Sequence, residues 1–133
     1  MFITLETDYA VRIVYCLARS GKRTGASEIS ESTGVTLRFA LKILHKLVAN
    51  GIVRSFKGAK GGYELARTPG EITLREVVEV MEGPIVFSRC LTDGFVCTND
   101  VEGRCFFNGV YEKLSNSMRE QLEGVRFSDA LKK

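Results

Sequence analysis

Two sets of residues in this chain have the types and spacing for chemistry. The first is three cysteines, Cys90, Cys97 and Cys105, separated by six and seven residues. Met1-Phe2-Ile3-Thr4-Leu5 carries neither a basic region nor a cleavage pattern, so no secretory signal is expected. A cytoplasmic location follows, where thiols stay reduced and serve metal or redox chemistry rather than a disulfide framework. The absence of any C-x-x-C pair argues against structural zinc. The fourth cysteine, Cys16, sits inside a helical pattern and is expected to be a small core residue.

The second set is cationic. Arg38, Lys42, Lys46, Arg54, Lys57, Lys60 and Arg67 face a single acid, Glu64, over residues 38–67. That segment carries six positive charges net, in a chain whose total is +3, so the remainder is net negative. A basic block inside an otherwise acidic protein implies a polyanionic partner. No nucleophile–base pair, phosphate loop or metal-water site with an adjacent base is visible, so an enzyme is not expected. Nor is there a run of about eighteen apolar residues to span a membrane.

The elements around these residues have readable signals. Thr7 to Arg19 predicts a helix with Ala10, Ile13, Val14, Leu17 and Ala18 on one stripe, closed by Gly21. Ala26 to Thr33 predicts a short helix capped by Ser27 and anchored by Ile29, broken at Gly34. Thr36 then caps a helix whose inward face is expected to be Leu37, Ala40, Leu41, Leu44, Leu47 and Val48, with Gly51 just past its end. Two helices across a tight glycine turn make a helix-turn-helix. Ile52–Lys57, a glycine-rich turn and Tyr63–Ala66 predict a hairpin, or wing, directly behind it.

A further helix begins at a capping box, Thr73 to Glu76, with an Ile72–Val77 staple and a core face of Leu74, Val77, Val78 and Met81; Gly83-Pro84 stops it. Residues 85–105 lack periodicity and hydrophobic anchors, so they are expected to be ordered only when something holds them. From Phe106 a helix returns, with Phe107, Tyr111, Leu114, Met118 and Val125 on a seam interrupted by Gln121. Such a seam suits either a partner subunit or the chain's own core.

The fold class is therefore mainly α with a small β-hairpin: a winged helix-turn-helix domain (1–83), a cysteine-bearing sensor loop (84–105), and a long dimerisation helix with its tail (106–133). On the helix starting at Thr36, Arg38, Lys42, His45 and Lys46 lie opposite the expected core face. Long donors near the start of such a helix can reach guanine O6 and N7 in the major groove. Thr36 can contact a phosphate or a base edge, and Arg54, Lys57 and Lys60 belong to the wing, suited to the minor groove or its phosphates. The expected partner is double-stranded DNA.

The blocks Thr7-Asp8-Tyr9-Ala10-Val11-Arg12, Asn50-Gly51-Ile52-Val53, Lys57 through Ala66, and Glu71 through Gly83, followed by the three spaced cysteines, cover nearly the whole chain. In these the sequence resembles the IscR/NsrR-type (Rrf-two) family of winged helix-turn-helix regulators. The resemblance implies a homodimer on a palindromic operator, joined through the C-terminal helix. It also implies an iron–sulfur cluster, 2Fe-2S or 4Fe-4S, ligated by Cys90, Cys97 and Cys105, whose state tunes DNA affinity in response to redox conditions, nitric oxide or iron–sulfur status. No histidine follows Cys105, so the three-cysteine, one-histidine set of IscR is excluded. An acidic fourth ligand fits better, and Asp8, reaching across from the other subunit, stands at the matching place; its ordinary alternative is favourable charge in the first turn of a helix. A cluster-free regulator of the same fold, acting through thiols or a partner protein as CymR-like members are thought to do, is the other reading.

Overall fold

The computed structural model describes residues 3–98 and 105–132. The helix-turn-helix forms as its caps dictate. The first helix, α1 (Leu5–Ser20), starts two residues earlier than the expected Thr7, because the Thr4 hydroxyl accepts the Thr7 N–H. Gly21 ends it in the left-handed conformation. Helix α2 (Ala26–Thr33) has the expected bounds, but its N-cap is Gly25, and Ser27 makes no cap bond. Helix α3 (Leu37–Ala49) is capped by Thr36, which accepts the Phe39 N–H at 3.4 Å. Its C-terminus is closed by Gly51 at φ 75°, with Ile52 N–H donating to Leu47 O (3.0 Å) and Gly51 N–H to Val48 O (3.1 Å). These paired bonds bury Ile52 against Leu47 and aim the chain into the hairpin.

The wing is β1 (Val53–Phe56) paired antiparallel with β2 (Gly62–Leu65), Arg54 standing opposite Glu64 and Ser55 opposite Tyr63. Thr24, before α2, adds a one-residue third edge: its N–H donates to Tyr63 O (2.8 Å) and its carbonyl accepts from Tyr63 N–H (2.9 Å). Gly61 is required by close approach. A Cβ there would lie 2.8 Å from the Gly58 carbonyl oxygen and closer still to that of Phe56, both backbone atoms. Gly61→Ala is expected to destabilise the protein by about 1–3 kcal/mol through this overpacking, read as a lower melting temperature.

One core joins these parts. Ala10, Ile13, Val14 and Leu17 of α1 meet Ile29 of α2, Ala40, Ile43, Leu44 and Leu47 of α3, Val53 of β1 and Val77 of α4 (Leu74–Glu82). Each fully buried Ile or Leu contributes about 1.5–3 kcal/mol. Thr73 caps α4 by accepting the Glu76 N–H, but Glu76 pairs with Arg67 instead of closing the capping box.

Helix α5 (Phe106–Glu123) packs beside α4, and the chain then returns to the head. Phe127 is buried in the core, Thr73 bridges Arg126, Leu74 N–H donates to Val125 O (2.8 Å), and Phe127 N–H donates to Ile72 O (3.1 Å). No residue pattern signalled this return. Among the described residues no helix is long and apolar enough to cross a membrane.

Candidate nucleic-acid interface and cysteine loop

The face of α3 turned away from the core carries Arg38, Lys42, His45 and Lys46, all exposed. Thr36 is exposed at its start. The inward face differs from the expected one. Burial falls on Ala40, Ile43, Leu44 and Leu47, whereas Leu37 and Leu41 are each 43% exposed. Nine apolar residues among thirteen form two overlapping stripes, and packing against α1 and α2 selects the one containing Ile43. Phe39, also partly exposed, turns its ring edge-on to Tyr9 of α1, with centroids 5.9 Å apart. The Lys42 ammonium lies 2.9 Å from Glu6 of α1, an exposed pair that a phosphate can displace.

In the hairpin, Lys57 and Lys60 are exposed in the turn, and Arg54 donates to Ala66 O at 3.0 Å. Arg67 is tied to Glu76, which removes one cation from the basic block. Arg23, missed by the sequence reading, adds a cation at the turn end of the hairpin. Its guanidinium lies 3.5 Å above the Phe56 ring and donates to Lys60 O. The signal for it was the Lys22-Arg23 pair just before the strand-forming Thr24, informative only once Thr24 is known to bridge Tyr63.

The cysteine loop is anchored where none was expected. Ile85 is buried, its carbonyl accepts from Arg119 Nε (2.9 Å), and Phe87 N–H donates to the buried Ser115 hydroxyl (2.8 Å). The Phe87 ring lies against Tyr111 with centroids 5.5 Å apart. A short 3-10 turn, Arg89–Leu91, then carries Cys90 to the start of α5, where Asn108 Nδ2 donates to its Sγ at 3.3 Å. Cys105 is the N-cap residue of α5, so Cys90 and Cys105 both stand at one helix start. The Ser88 hydroxyl above all, then the Asn108 amide, hold the Cys90 thiol below its ordinary pKa despite partial desolvation. Cys97 is exposed, and residues 99–104 lie outside the described set. Cys16 is apart from these in α1, its thiol pushed up by burial, in keeping with a core role.

On α5 the intrachain side is Asn108, Ser115, Arg119 and Leu122, with Tyr111 and Met118 half-buried. Phe107 and Leu114 of the expected seam remain open at 60% and 44% exposure. A groove of about 290 Å³ runs beside Leu114, lined also by Phe87, Ser117, Met118, Gln121 and Leu122.

This arrangement has relatives. A family model described as an iron-dependent transcriptional regulator, Rrf2, matches residues 3–133. The chain belongs to the Rrf2 family. Protein aau3 of Rhizobium meliloti (strain 1021) is 35% identical over 133 residues, 99% of this chain and 86% of that protein. Among solved structures, T. potens IscR superposes with a TM-score of 0.77 at 25% identity, covering 98% of this chain and 86% of IscR. CymR, the global cysteine regulator of B. subtilis, superposes with a TM-score of 0.79 at 23% identity, covering 98% and 95%. The winged-helix architecture is thus that of Rrf2 regulators, and these proteins are transcription regulators rather than enzymes.

Among the described residues, no three His, Cys, Asp or Glu side chains are gathered closely enough to hold a metal ion. The donor set nonetheless suits an iron–sulfur cluster in kind: thiolates are the usual ligands, Cys90 has a lowered pKa, and Cys105 stands at the same helix start. Asp8 pairs with Arg12 at 3.0 Å on the surface of α1. Its helix is coupled to its surroundings at that end. Glu82, at the close of α4, accepts from the Thr4 N–H (3.2 Å) and from the Thr4 and Thr7 hydroxyls. Desolvation opposes ionisation of Glu82, but these donors outweigh it and hold the carboxyl below its usual range.

Proposed function

We propose that the protein is a homodimeric transcription regulator that grips a palindromic operator through α3 and the wing. Its operator affinity is tuned by an iron–sulfur cluster on Cys90, Cys97 and Cys105. The observation that carries the DNA reading is the cationic outer face of α3, set on a fully apolar inner face and followed by a lysine-tipped hairpin. Arg38 and Lys42 read base edges. Thr36, His45 and Lys46 fix register on phosphates, and Arg54, Lys57, Lys60 and Arg23 serve the wing.

The three-part division (1–83, 84–105, 106–133) assigns reading, sensing and dimerisation, with Phe127 returning the tail to the reading head. When bound, a cluster supplies a centre reactive toward oxidants and nitric oxide. Asp8 of the partner subunit is its fourth ligand in this reading, replacing the histidine that the sequence lacks. Asp8 must exchange Arg12 for that role. The first turn of α1 also holds Glu6 against Lys42 and Thr4 against Glu82, so a shift there reaches both the recognition helix and the segment leading to Cys90.

An anaerobic absorbance spectrum with iron and sulfide analysis tests the cysteine assignment. A coloured protein holding iron and sulfide, lost in Cys90→Ala, is expected. The second reading, a cluster-free regulator like CymR, is favoured by the lowered pKa of the Cys90 thiol, which suits direct thiol chemistry. A colourless preparation with full operator affinity establishes that reading over the first.

A further inference from the structure

Leu37, Phe39 and Leu41 of α3 all leave apolar surface open. Phe39, 41% exposed, turns its ring edge-on to Tyr9 of α1, whereas Leu37 and Leu41, each 43% exposed, lie four residues apart on the edge of the face bearing Arg38, Lys42 and His45. Successive residues advance by about 100° around a helix, which puts these two leucines on one line, about 6 Å apart along the axis. That separation matches roughly two base-pair steps of about 3.4 Å. Leu37 opens the helix directly after Thr36, at the end that enters a major groove.

We infer that Leu37 and Leu41 are specificity-determining residues that contact the C5-methyl groups of thymines about two base-pair steps apart, beside the base read by Arg38. The inference rests on the DNA reading and names what the apolar edge of that interface recognises. The thymine methyl is the one apolar group on the major-groove edges of the four bases. Against guanine, adenine or cytosine a leucine would strip water from donors and acceptors without replacing their hydrogen bonds, an unfavourable exchange. Cations alone reward any sequence through the phosphates. Cations flanked by a leucine pair reward a guanine next to thymines.

The test uses the full chain and a duplex selected by it from a random library. That duplex is then remade with deoxyuridine for thymidine, which removes only the methyl groups. Wild-type protein is expected to bind the deoxyuridine duplex about four-fold more weakly for each contacted methyl, about fifteen-fold for the pair in one half-site and about two-hundred-fold for both half-sites. The Leu37→Ala/Leu41→Ala variant is expected to bind both duplexes equally while keeping the wild-type oligomeric mass. An undiminished wild-type affinity for the deoxyuridine duplex, or an equal loss in wild type and variant, overturns the inference and leaves the DNA reading intact. A variant that changes its oligomeric mass assigns the leucines to the subunit interface, which also overturns it. Selection of no sequence by the full chain overturns the DNA reading itself.

Discussion

Replacing Arg38 and Lys42 together with glutamine will weaken operator binding by about a thousand-fold or more. A well-placed bidentate contact to a base edge discriminates by about 1–3 kcal/mol, and a dimer repeats each contact in both half-sites. Even with incomplete additivity, four lost contacts exceed about 4 kcal/mol, and about 1.4 kcal/mol is a factor of ten. The fold will not share the loss. Both side chains are exposed, and α3 is held by Ala40, Ile43, Leu44 and Leu47 on its opposite face. The Lys42–Glu6 pair is exposed and its removal matters little to stability. Fluorescence anisotropy at fixed ionic strength measures the affinity, and repeating it over a salt series shows a shallower salt dependence for the variant as phosphate neutralisation is lost. Unchanged affinity would remove α3 from the interface.

The second large effect concerns α5. Phe107→Glu/Leu114→Glu is expected to yield a monomer by sedimentation, with operator affinity reduced by about a hundred-fold or more. Two tethered half-sites gain about 10²–10⁴ over one through effective concentration, and that gain disappears with the dimer. Carboxylates placed where an apolar partner face closes must be desolvated without a counter-charge, which disfavours association strongly. Phe107 and Leu114 are exposed in the single chain, so the head should melt as before. A wild-type chain that sediments as a monomer at the concentrations where it binds DNA would contradict this assignment.

Local signals made the reading head legible. Gly21, Gly34, Thr36 and Gly51 each terminate or start a helix where the sequence suggested, and the glycines before Tyr63 turn the hairpin. What stayed hidden depends on distant partners. Ile43 replaces Leu37 and Leu41 in the core because α1 and α2 arrive on that side, a choice that periodicity alone does not make. The anchoring of residues 85–91 depends on Ser115, Tyr111 and Arg119, more than twenty positions away in sequence. The Thr24–Tyr63 bridge, and with it Arg23 over Phe56, requires the hairpin to fold back on the segment before α2. At the cysteines, the sequence supplied the donors and their order, while the neighbourhood of Cys90 and Cys105 emerged only through Asn108. Asp8 was legible by resemblance alone.

The Phe127 return has a mechanical consequence. Because the end of α5 is rooted in the same apolar interior as α1 and α3, the long helix is no free stalk but one arm of a caliper whose jaw is α3. In the proposed dimer a small pivot where the two arms cross is carried undamped to both jaws. The gap between half-sites thereby becomes a dimension set by the protein, and a stimulus acting near the pivot needs no flexible relay to change it.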